Sequence, residues 1–382
     1  MAYKLNNNNN PTPVSKTTAY SKDPQQVAYE HTAPLPDFDN NDRRKTSGKK
    51  RFAQVLFTLV LLALTGVSFG LTLLPRLDTV ELPEEIGIVP KEEINLTEEQ
   101  AVEYAQKSDE VVNILLIGVD GEGYTDARSD VMMIASINKQ TKEIHLTSFM
   151  RDTMAYIPSR GTYEKLNHSY MYDSAVGTMT AINQNYDMNI QQFVVFDFLA
   201  LKKMVDAVGG VVVNIDENEA YDMQRSNQPV PGLGDQLLNG DQALMYARVR
   251  YNSGGDEGRN ARQREILRYI FSVSKNLGLN QLKDLALDVL PAVKTSYTYG
   301  GLISLIEYYD TIKSGAALVE HSFPFEKTSV MHDSLSYIIP MTASTNIVEL
   351  QRIIFGFDNY TPSKRALEYS QYIGNITGTY YE

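Results

Sequence analysis

Residues 52–74 form an uncharged apolar segment of 23 residues, FAQVLFTLVLLALTGVSFGLTLL. As an α-helix rising about 1.5 Å per residue, such a segment extends roughly 35 Å, which is enough to cross the hydrocarbon core of a bilayer with some tilt. A cleaved signal peptide has a shorter apolar region near the N-terminus, whereas a long polar segment precedes this one. We therefore predict a retained transmembrane helix rather than a signal peptide or a buried core helix.

The charges on either side of this segment predict its orientation. Six basic residues lie in the stretch 43–51, whereas residues 75–85 carry one arginine and four acids. Because basic residues stay on the cytoplasmic side, the N-terminus is expected in the cytoplasm and the chain beyond the helix outside the cell. Residues 1–51 are rich in Asn, Pro, Ser and Thr, which predicts a disordered cytoplasmic tail. The expected protein is a single-pass protein of the cell membrane with an extracellular domain.

Composition excludes several classes of site. The chain has no cysteine, which rules out disulfides, a thiol nucleophile and cysteine-ligated metals. Its five histidines lack the spacing of a zinc motif. Residues 1–51 contain nine Lys/Arg and five Asp/Glu, a charge of +4. Because the net charge of the whole chain is −12, the remaining residues carry −16. An external domain this acidic argues against nucleic acid as a partner.

The external part divides by pattern into three regions. Residues 75–110 are rich in Pro and Glu and are predicted to be a stalk or linker. Residues 111–285 alternate strand-like and helical stretches, which predicts the α/β class, with an αβα layered domain around a mixed central sheet. Residues 286–382 are predicted to be a C-terminal helical extension packed on that domain or continuing it. The predicted strands of the central region are 111–119, 131–138, 143–149, 193–198 and 211–215.

Two acids flank the loop between the first two predicted strands. Asp120 ends one strand and Asp130 leads into the next, so neighbouring strands would bring both to the same edge of the sheet. Two carboxylates suit an oxygen-preferring cation such as Mg²⁺ or Mn²⁺ that also binds phosphate oxygens. Asp126, inside the loop, competes with Asp120 for this role. Ordinary turn chemistry would also explain the Asp and Gly residues here.

A cluster of arginines stands out in the acidic domain. The stretch 246–268 contains six arginines and no lysine. The planar guanidinium group donates two parallel hydrogen bonds to phosphate and stays charged, so arginine is preferred for a fixed pyrophosphate. A solvated helix face would mix lysine with arginine. The stretch therefore predicts phosphate recognition.

Two further segments, taken alone, are weaker evidence for a functional site. Arg151 and Asp152 follow a predicted strand, as many surface ion pairs do. Lys165, Asn167 and His168 stand at a predicted helix start, where Asn167 is a typical N-cap residue.

Taken together and in this order, these segments resemble the LytR-CpsA-Psr family of cell-wall glycopolymer ligases. The resemblance covers roughly residues 111–270, through NILLIGVD, ARSDVMMIASIN, LTSFMRDTMAYIP, KLNHSY, FVVFDF, VDAVGGVVVNI, LNGDQALMYARVR and DEGRNARQREIL. It implies an αβα domain that holds a polyprenyl-linked pyrophosphate, with the lipid in an apolar groove. It also implies transfer of a glycopolymer, such as teichoic acid or capsular polysaccharide, from undecaprenyl pyrophosphate to a peptidoglycan hydroxyl.

The resemblance also implies roles for individual residues. Asp120 and Asp130 correspond to the Mg²⁺-associated acids, and Asp130, Arg151 and Asp120 are the expected catalytic residues. The expected pyrophosphate-binding residues are Arg128, Arg151, Arg248, Arg250, Arg259 and Gln263, with Arg262 and Lys165 as additions. The implied partners are a polyprenyl-pyrophosphate-linked glycan, a peptidoglycan acceptor and the membrane, and no nucleic acid.

Two other functions remain open at this level. A hydrolase of lipid pyrophosphates would use the same pyrophosphate-binding residues, with water in place of the sugar hydroxyl. A membrane-tethered transcriptional regulator would need its arginines in the cytoplasm, opposite to the predicted orientation.

Overall fold

The computed structural model describes residues 78–84, 86–90, 94, 98–119, 128–225, 232–274, 289, 292–298 and 317–378. The predicted tail 1–51, the predicted membrane helix 52–74, and both Asp120 and Asp126 lie outside these described residues. Among the helices of the described part, none is both long enough and apolar enough to cross a membrane.

The described elements alternate between strand and helix along the chain. The strands are β1 (Asp78–Thr79), β2 (Val111–Val119), β3 (Ser129–Asn138), β4 (Glu143–Phe149), β5 (Met154–Ile157), β6 (Thr162–Lys165), β7 (Gln192–Phe196), β8 (Val211–Ile215), β9 (Gly234–Leu238), β10 (Val293–Thr295), β11 (Ala317–Phe323), β12 (Lys327–His332) and β13 (Leu335–Pro340). The helices are α1 (Glu98–Glu110), α2 (His168–Tyr186), α3 (Phe198–Ala207), α4 (Glu217–Arg225), α5 (Gly240–Tyr246), α6 (Gly255–Ser274), α7 (Ala343–Phe355) and α8 (Lys364–Thr377).

Seven strands form the central sheet in the order β1-β10-β7-β2-β3-β4-β11. The sheet is mixed, because β2 pairs in parallel with β7 and antiparallel with β3. Pairs of short strands, β5 with β6, β8 with β9 and β12 with β13, lie outside it. The prediction of a mixed central sheet is confirmed, although the predicted strand 211–215 pairs antiparallel with β9 instead of joining that sheet.

Both faces of the sheet are covered, which explains the continuous apolar run of β2. Successive side chains of a strand point to opposite faces. Leu115 and Ile117 accordingly join one buried cluster with α2, α7 and α8, whereas Ile114 and Leu116 join another with α3, α5 and α6. Helices on both sides of one sheet make the layered arrangement that the alternating pattern predicted.

Residues before 110 and after 285 pack with the central region, and continuation of the domain by residues 286–382 was one of the two predicted arrangements. Within the described part of the predicted stalk, Val89, Ile94 and Tyr104 are buried in the core, and the ring of Tyr104 stacks on that of Phe357 at 5.1 Å. Strands β10 and β11, from the predicted helical extension, belong to the central sheet. These pairings join segments far apart in sequence, so local periodicity does not show them.

A pair of histidines joins β4 to the edge strand β11. Nδ1 of His145 lies 3.0 Å from Nε2 of His321, and the two rings stack with centroids 5.3 Å apart. Burial and the neighbouring imidazole of His145 lower the pKa of His321 to about 4. Burial likewise lowers the pKa of His145. The folded protein therefore keeps this pair neutral.

This pair predicts a loss of stability in mild acid. An unfolded histidine titrates near 6.5, so the unfolded chain binds more protons between about pH 6.5 and 4, and stability falls as the pH falls through that window. We expect His321→Gln to flatten this pH dependence by about 1–2 kcal/mol after allowance for solvent screening, measured by urea unfolding at each pH. His332→Gln, on the exposed β12–β13 hairpin, is the control. Equal slopes for His321→Gln and the wild type would contradict the prediction.

Candidate active site

A cleft of about 160 Å³, partly open to solvent, lies at one edge of the central sheet. The parallel strands β2 and β7 end at this edge, and the antiparallel β3 begins there. Helices α3, α5 and α6 cover the adjoining face of the sheet. The polar residues at these strand ends therefore lie close together, next to the face of the sheet that α3, α5 and α6 cover.

The walls of the cleft divide into a charged end and an apolar side. The polar side chains that line the cleft are those of Asp130, Asp197, Arg248, Arg250, Arg259 and Gln263; all but Asp197, the N-cap of α3, make up its charged end. The apolar wall is made by Val119, Val131, Phe196, Phe198, Leu201, Leu244, Ala247, Ile266 and Leu267. Such a cleft matches a ligand with an anionic head and a hydrocarbon tail.

Helix α6 contributes to both parts of the cleft through one face. Arg259 and Gln263 are four residues apart, and Ile266 and Leu267 follow one turn later. Residues three or four apart lie above one another on a helix, so this face changes from charged to apolar along its length. The cleft therefore changes from charged to apolar in the N- to C-terminal direction of α6.

Arg248 and Arg250 lie in the connection between α5 and α6. The guanidinium carbon of Arg248 is 4.7 Å from the ring centre of Phe198, a cation–π distance. This contact holds a charged group at the border between the charged end and the apolar wall.

A row of alternating charges continues from the cleft. Nη1 of Arg151 donates to Oδ1 of Asp130 at 2.6 Å, and its Nε lies 3.6 Å from Oδ2 of Asp152. Lys165 Nζ lies 2.9 Å from Oδ1 of Asp152. Arg259 Nη1 is 4.0 Å from Oδ2 of Asp130. The side chains of Arg151, Asp130, Asp152 and Lys165 are 18–27% exposed. These ion pairs hold the guanidinium of Arg151 in place beside the cleft.

The structure distributes the predicted site residues unevenly. Asp130, Arg248, Arg250, Arg259 and Gln263 line the cleft, while Arg151 and Lys165 join it through the row of charges. Arg128 is exposed two residues before Asp130. The predicted metal ligand Asp120 and its competitor Asp126 lie outside the described residues. The individual roles stay predictions, but the described members are close together as the sequence suggested.

Arg262 occupies a structural position instead of the predicted contact with pyrophosphate. Its side chain is 5% exposed and its guanidinium donates to the carbonyl oxygens of Val249 and Ser253 and to Glu219 Oε1, the last at 3.2 Å. Burial raises the pKa of Glu219, against the opposing charge of Arg262. Arg262 therefore braces the loop that carries Arg250, whereas Arg259, one turn earlier, faces the cleft.

Two acids of α4 that sequence reasoning missed hold the same loop. Glu219 pairs with Arg262, and Asp222 accepts hydrogen bonds from the Asn252 backbone N–H at 2.9 Å and from the Ser253 hydroxyl at 2.9 Å. About thirty residues separate Asp222 from these partners, so no local pattern reveals the contact. The loop geometry near Arg250 depends on this contact with α4.

Among the described residues, no group of three His, Asp or Glu side chains is arranged to hold a metal ion. Asp130 and Asp197 are the described carboxylates that line the cleft, and Asp197 already caps α3 by accepting from the Ala200 N–H at 2.8 Å. Mg²⁺ needs only one or two protein carboxylates when phosphate oxygens and water complete its shell, so Asp130 fits this type of site.

Comparison with known proteins agrees with the fold and the cleft. The LytR_cpsA_psr family model matches residues 88–352. The polyisoprenyl-teichoic acid–peptidoglycan teichoic acid transferase TagU of Enterococcus faecalis is 30% identical over 305 residues, covering 76% of this chain and 92% of the relative.

Solved structures share the architecture. Protein gbs0355 from Streptococcus agalactiae superposes with a TM-score of 0.61 at 25% identity, over 71% of this chain and 97% of that chain. YwtF (TagT) of Bacillus subtilis, solved with bound octaprenyl pyrophosphate lipid, has a TM-score of 0.51 over 78% of this chain and all of that chain; at 19% identity this likeness concerns the fold. With a family model matched over more than half of its length and a TagU relative nearly fully covered, this chain belongs to the LytR_cpsA_psr family.

Proposed function

We propose that this protein transfers a glycopolymer of the teichoic acid class from a polyisoprenyl pyrophosphate to a peptidoglycan hydroxyl. The observation that carries the proposal is the cleft, in which Arg248, Arg250 and Arg259 surround the charged end and a wall of aliphatic and aromatic side chains follows directly. A lipid-linked diphosphate requires both parts at once. The related TagU of Enterococcus faecalis is named for this reaction.

The arrangement suits phosphoryl transfer. The acceptor oxygen attacks the glycan-linked phosphorus, a new P–O bond forms, and the bond to the bridging oxygen breaks so that prenyl phosphate leaves with the electron pair. Negative charge grows on that leaving phosphate, and fixed donors aimed at growing charge lower the barrier. Arg248, Arg250 and Arg259 line the same cleft as the apolar wall, and Arg248 contacts Phe198 of that wall, so the leaving phosphate would lie among them.

Mg²⁺, or Mn²⁺ in its place, is part of the proposal. When bound, the ion would supply positive charge to the diphosphate oxygens. Asp130 would hold it, together with Asp120 as the second acid that the sequence suggests. Arg151, bound to Asp130 Oδ1 at 2.6 Å, orients the Asp130 carboxylate. Transfer that continues at the same rate after chelation of divalent cations would contradict this part.

Attachment to the membrane through residues 52–74, with the domain outside the cell, is likewise proposed. Strand β1 is parallel to β10, and β10 is antiparallel to β7, so the chain enters β1 at Asp78 from the sheet edge at which β7 ends. This is the edge that carries the cleft. An anchor a few residues before Asp78 would therefore keep the cleft near the membrane that holds the lipid donor. Cytoplasmic activity of a reporter fused after Glu382 would contradict this orientation.

The function is tested with the full-length protein in detergent micelles and an undecaprenyl-pyrophosphate-linked glycan. We expect a phosphodiester-linked glycan–peptidoglycan product, with release of undecaprenyl phosphate, that depends on added peptidoglycan. Arg250→Ala is expected to abolish most of this product, whereas Arg352→Ala, in an exposed pair on α7, serves as the matched control. Equal release of free phosphoglycan with and without peptidoglycan would favour a lipid-pyrophosphate hydrolase instead.

A further inference from the structure

The apolar wall of the cleft determines the side from which an acceptor approaches, if the proposed function holds. A prenyl chain lying along Leu201, Leu244 and Leu267 places the leaving oxygen toward these residues. In phosphoryl transfer the attacking and leaving oxygens lie roughly in line on opposite sides of phosphorus. The acceptor hydroxyl must therefore approach from beyond Asp130 and Arg151, away from the apolar wall.

Next to the segment that carries Arg151 lies a partly buried group of three side chains, Glu164, His168 and Tyr172, here called the acceptor cluster. His168 Nδ1 is 2.9 Å from Glu164 Oε2, and the Tyr172 hydroxyl donates to the same oxygen at 2.8 Å. The side chains of Glu164 and His168 are 21% and 15% exposed. Because a carboxylate oxygen only accepts, Nδ1 carries the proton and Nε2 is left as the basic nitrogen of the ring.

The backbone connects the acceptor cluster directly to the row of charges at the cleft. The Asn167 N–H donates to the carbonyl oxygen of Arg151 at 3.1 Å, which places His168 one residue from a contact with Arg151. Lys165, the neighbour of Glu164, lies 2.9 Å from Asp152. Arg128, two residues before Asp130, also acts electrostatically on Tyr172, so the acceptor cluster adjoins the segments that carry Asp130 and Arg151.

The start of α2 is shaped separately from the rest of the helix. Asp173 and Ser174 have non-helical dihedrals, with φ of 47° at Ser174, so a kink follows Tyr172 at once. Strained conformations of this type persist where the surrounding structure imposes them. The kink lets residues 168–172 turn toward β6 while the remainder of α2 packs on the sheet.

Electrostatics keep Glu164 ionised. Partial burial raises the pKa of Glu164, but hydrogen bonds from His168 and Tyr172 and nearby positive charge outweigh it and hold that pKa below its ordinary value. A carboxylate that stays charged orients the imidazole and stabilises its protonated form. The other charged or titratable groups facing the acceptor cluster are Arg160, Arg128, Lys165, Tyr337 and Asp333.

We infer that the acceptor cluster binds the acceptor sugar hydroxyl and that His168 is the general base for its proton. In this step the hydroxyl proton moves to His168 Nε2 as the sugar oxygen bonds to the glycan-linked phosphorus. The bridging P–O bond breaks and prenyl phosphate leaves with the electron pair. The proton then passes from His168 to the departing phosphate or to water, so charge and atoms balance. Glu164 acts as a positioning residue for the imidazole, and Tyr172 holds the carboxylate.

The test measures transfer by full-length His168→Gln and Glu164→Gln over about pH 5 to 9. His168→Gln is expected to lower the rate roughly 10²- to 10⁴-fold and to remove the loss of activity on acidification, because glutamine takes no proton. Glu164→Gln is expected to lower the rate about tenfold. The glutamine amide oxygen can still accept from His168 Nδ1, but it lacks the negative charge that stabilises the protonated imidazole. Imidazole added to His168→Gly is expected to restore part of the rate.

Binding and stability separate this role from a structural one. Octaprenyl pyrophosphate binding and the melting temperature of His168→Gln are expected to match the wild type. Glu103→Gln, which breaks the exposed Glu103–Lys107 pair on α1 at the same i,i+4 spacing, is the matched control. A wild-type rate and pH profile in His168→Gln, or losses in rate that follow losses in donor binding or stability, would overturn the inference. Wild-type protein that neither binds donor nor transfers glycan would instead contradict the proposed function itself.

Discussion

Replacing Arg262 with methionine is expected to lower the free energy of unfolding by about 3–5 kcal/mol. The guanidinium is 5% exposed and pairs with Glu219, itself largely buried at 11%. Removing it leaves the carboxylate of Glu219 and the carbonyl oxygens of Val249 and Ser253 without this donor in a region that excludes water. Urea unfolding at neutral pH measures the loss. A loss below about 1 kcal/mol, as for an exposed ion pair, would contradict the buried bracing role.

The double variant Glu219→Met with Arg262→Met gives this prediction its sharpest check. Replacing both members of a buried ion pair with apolar residues is often close to neutral, whereas removal of one member leaves a buried charge. We expect the double variant to recover at least about 1 kcal/mol of the single loss. The recovery should be incomplete because the loop carbonyls still lack their donor. Arg268→Met, which breaks a pair with Glu320 and is 33% exposed, is the control and should cost less than about 1 kcal/mol.

Replacing Arg151 with alanine is expected to lower the rate of glycan transfer roughly 10²- to 10³-fold with a small effect on stability. The guanidinium donates to Asp130 at 2.6 Å, and the Arg151 carbonyl oxygen accepts from the Asn167 N–H next to the acceptor cluster. It is therefore placed to neutralise charge on the reacting phosphate and to orient Asp130. Steady-state transfer with a lipid-linked glycan and peptidoglycan measures the effect.

The Arg151→Lys variant tests the geometry of this group. Lysine keeps the charge but loses the planar fork that bonds to two acceptors at once. We expect Arg151→Lys to recover only part of the rate, whereas Arg352→Lys, in the exposed pair with Glu349 on α7, keeps all of it. Full activity of Arg151→Lys would show that charge alone suffices, and full activity of Arg151→Ala would remove Arg151 from the site.

The sequence predicted the central elements closely because their patterns are local. The strands predicted at 111–119 and 143–149 have the same bounds in the structure. The grouping of Asp130 with Arg248, Arg250 and Arg259 also follows from local cues, since each stands where a strand or helix begins or ends. Runs of β-branched residues favour strands, and arginine-rich turns favour phosphate binding. Both patterns are recognisable within a single segment.

Other features depended on contacts between distant segments. Arg259 and Arg262 are equivalent by type and by helical neighbourhood, yet one faces the cleft and the other is buried against Glu219. Likewise, β10 and β11 join the central sheet from a C-terminal region that was predicted as a mainly helical extension, and their pairing partners lie far away in the sequence. No short window of sequence contains the partner that decides such cases.

The amino-acid sequence by itself determined the class of fold, the family, the positions of most core strands along the chain and the set of charged side chains available to hold a diphosphate. Local periodicity and residue chemistry suffice for these, because they act within one element at a time. Only the tertiary structure decided which arginines face the cleft, which one braces the loop, and that Glu164, His168 and Tyr172 meet next to the segment that carries Arg151. Those outcomes depend on packing between elements, where a helix rotation of one residue moves a guanidinium from a cavity into the core.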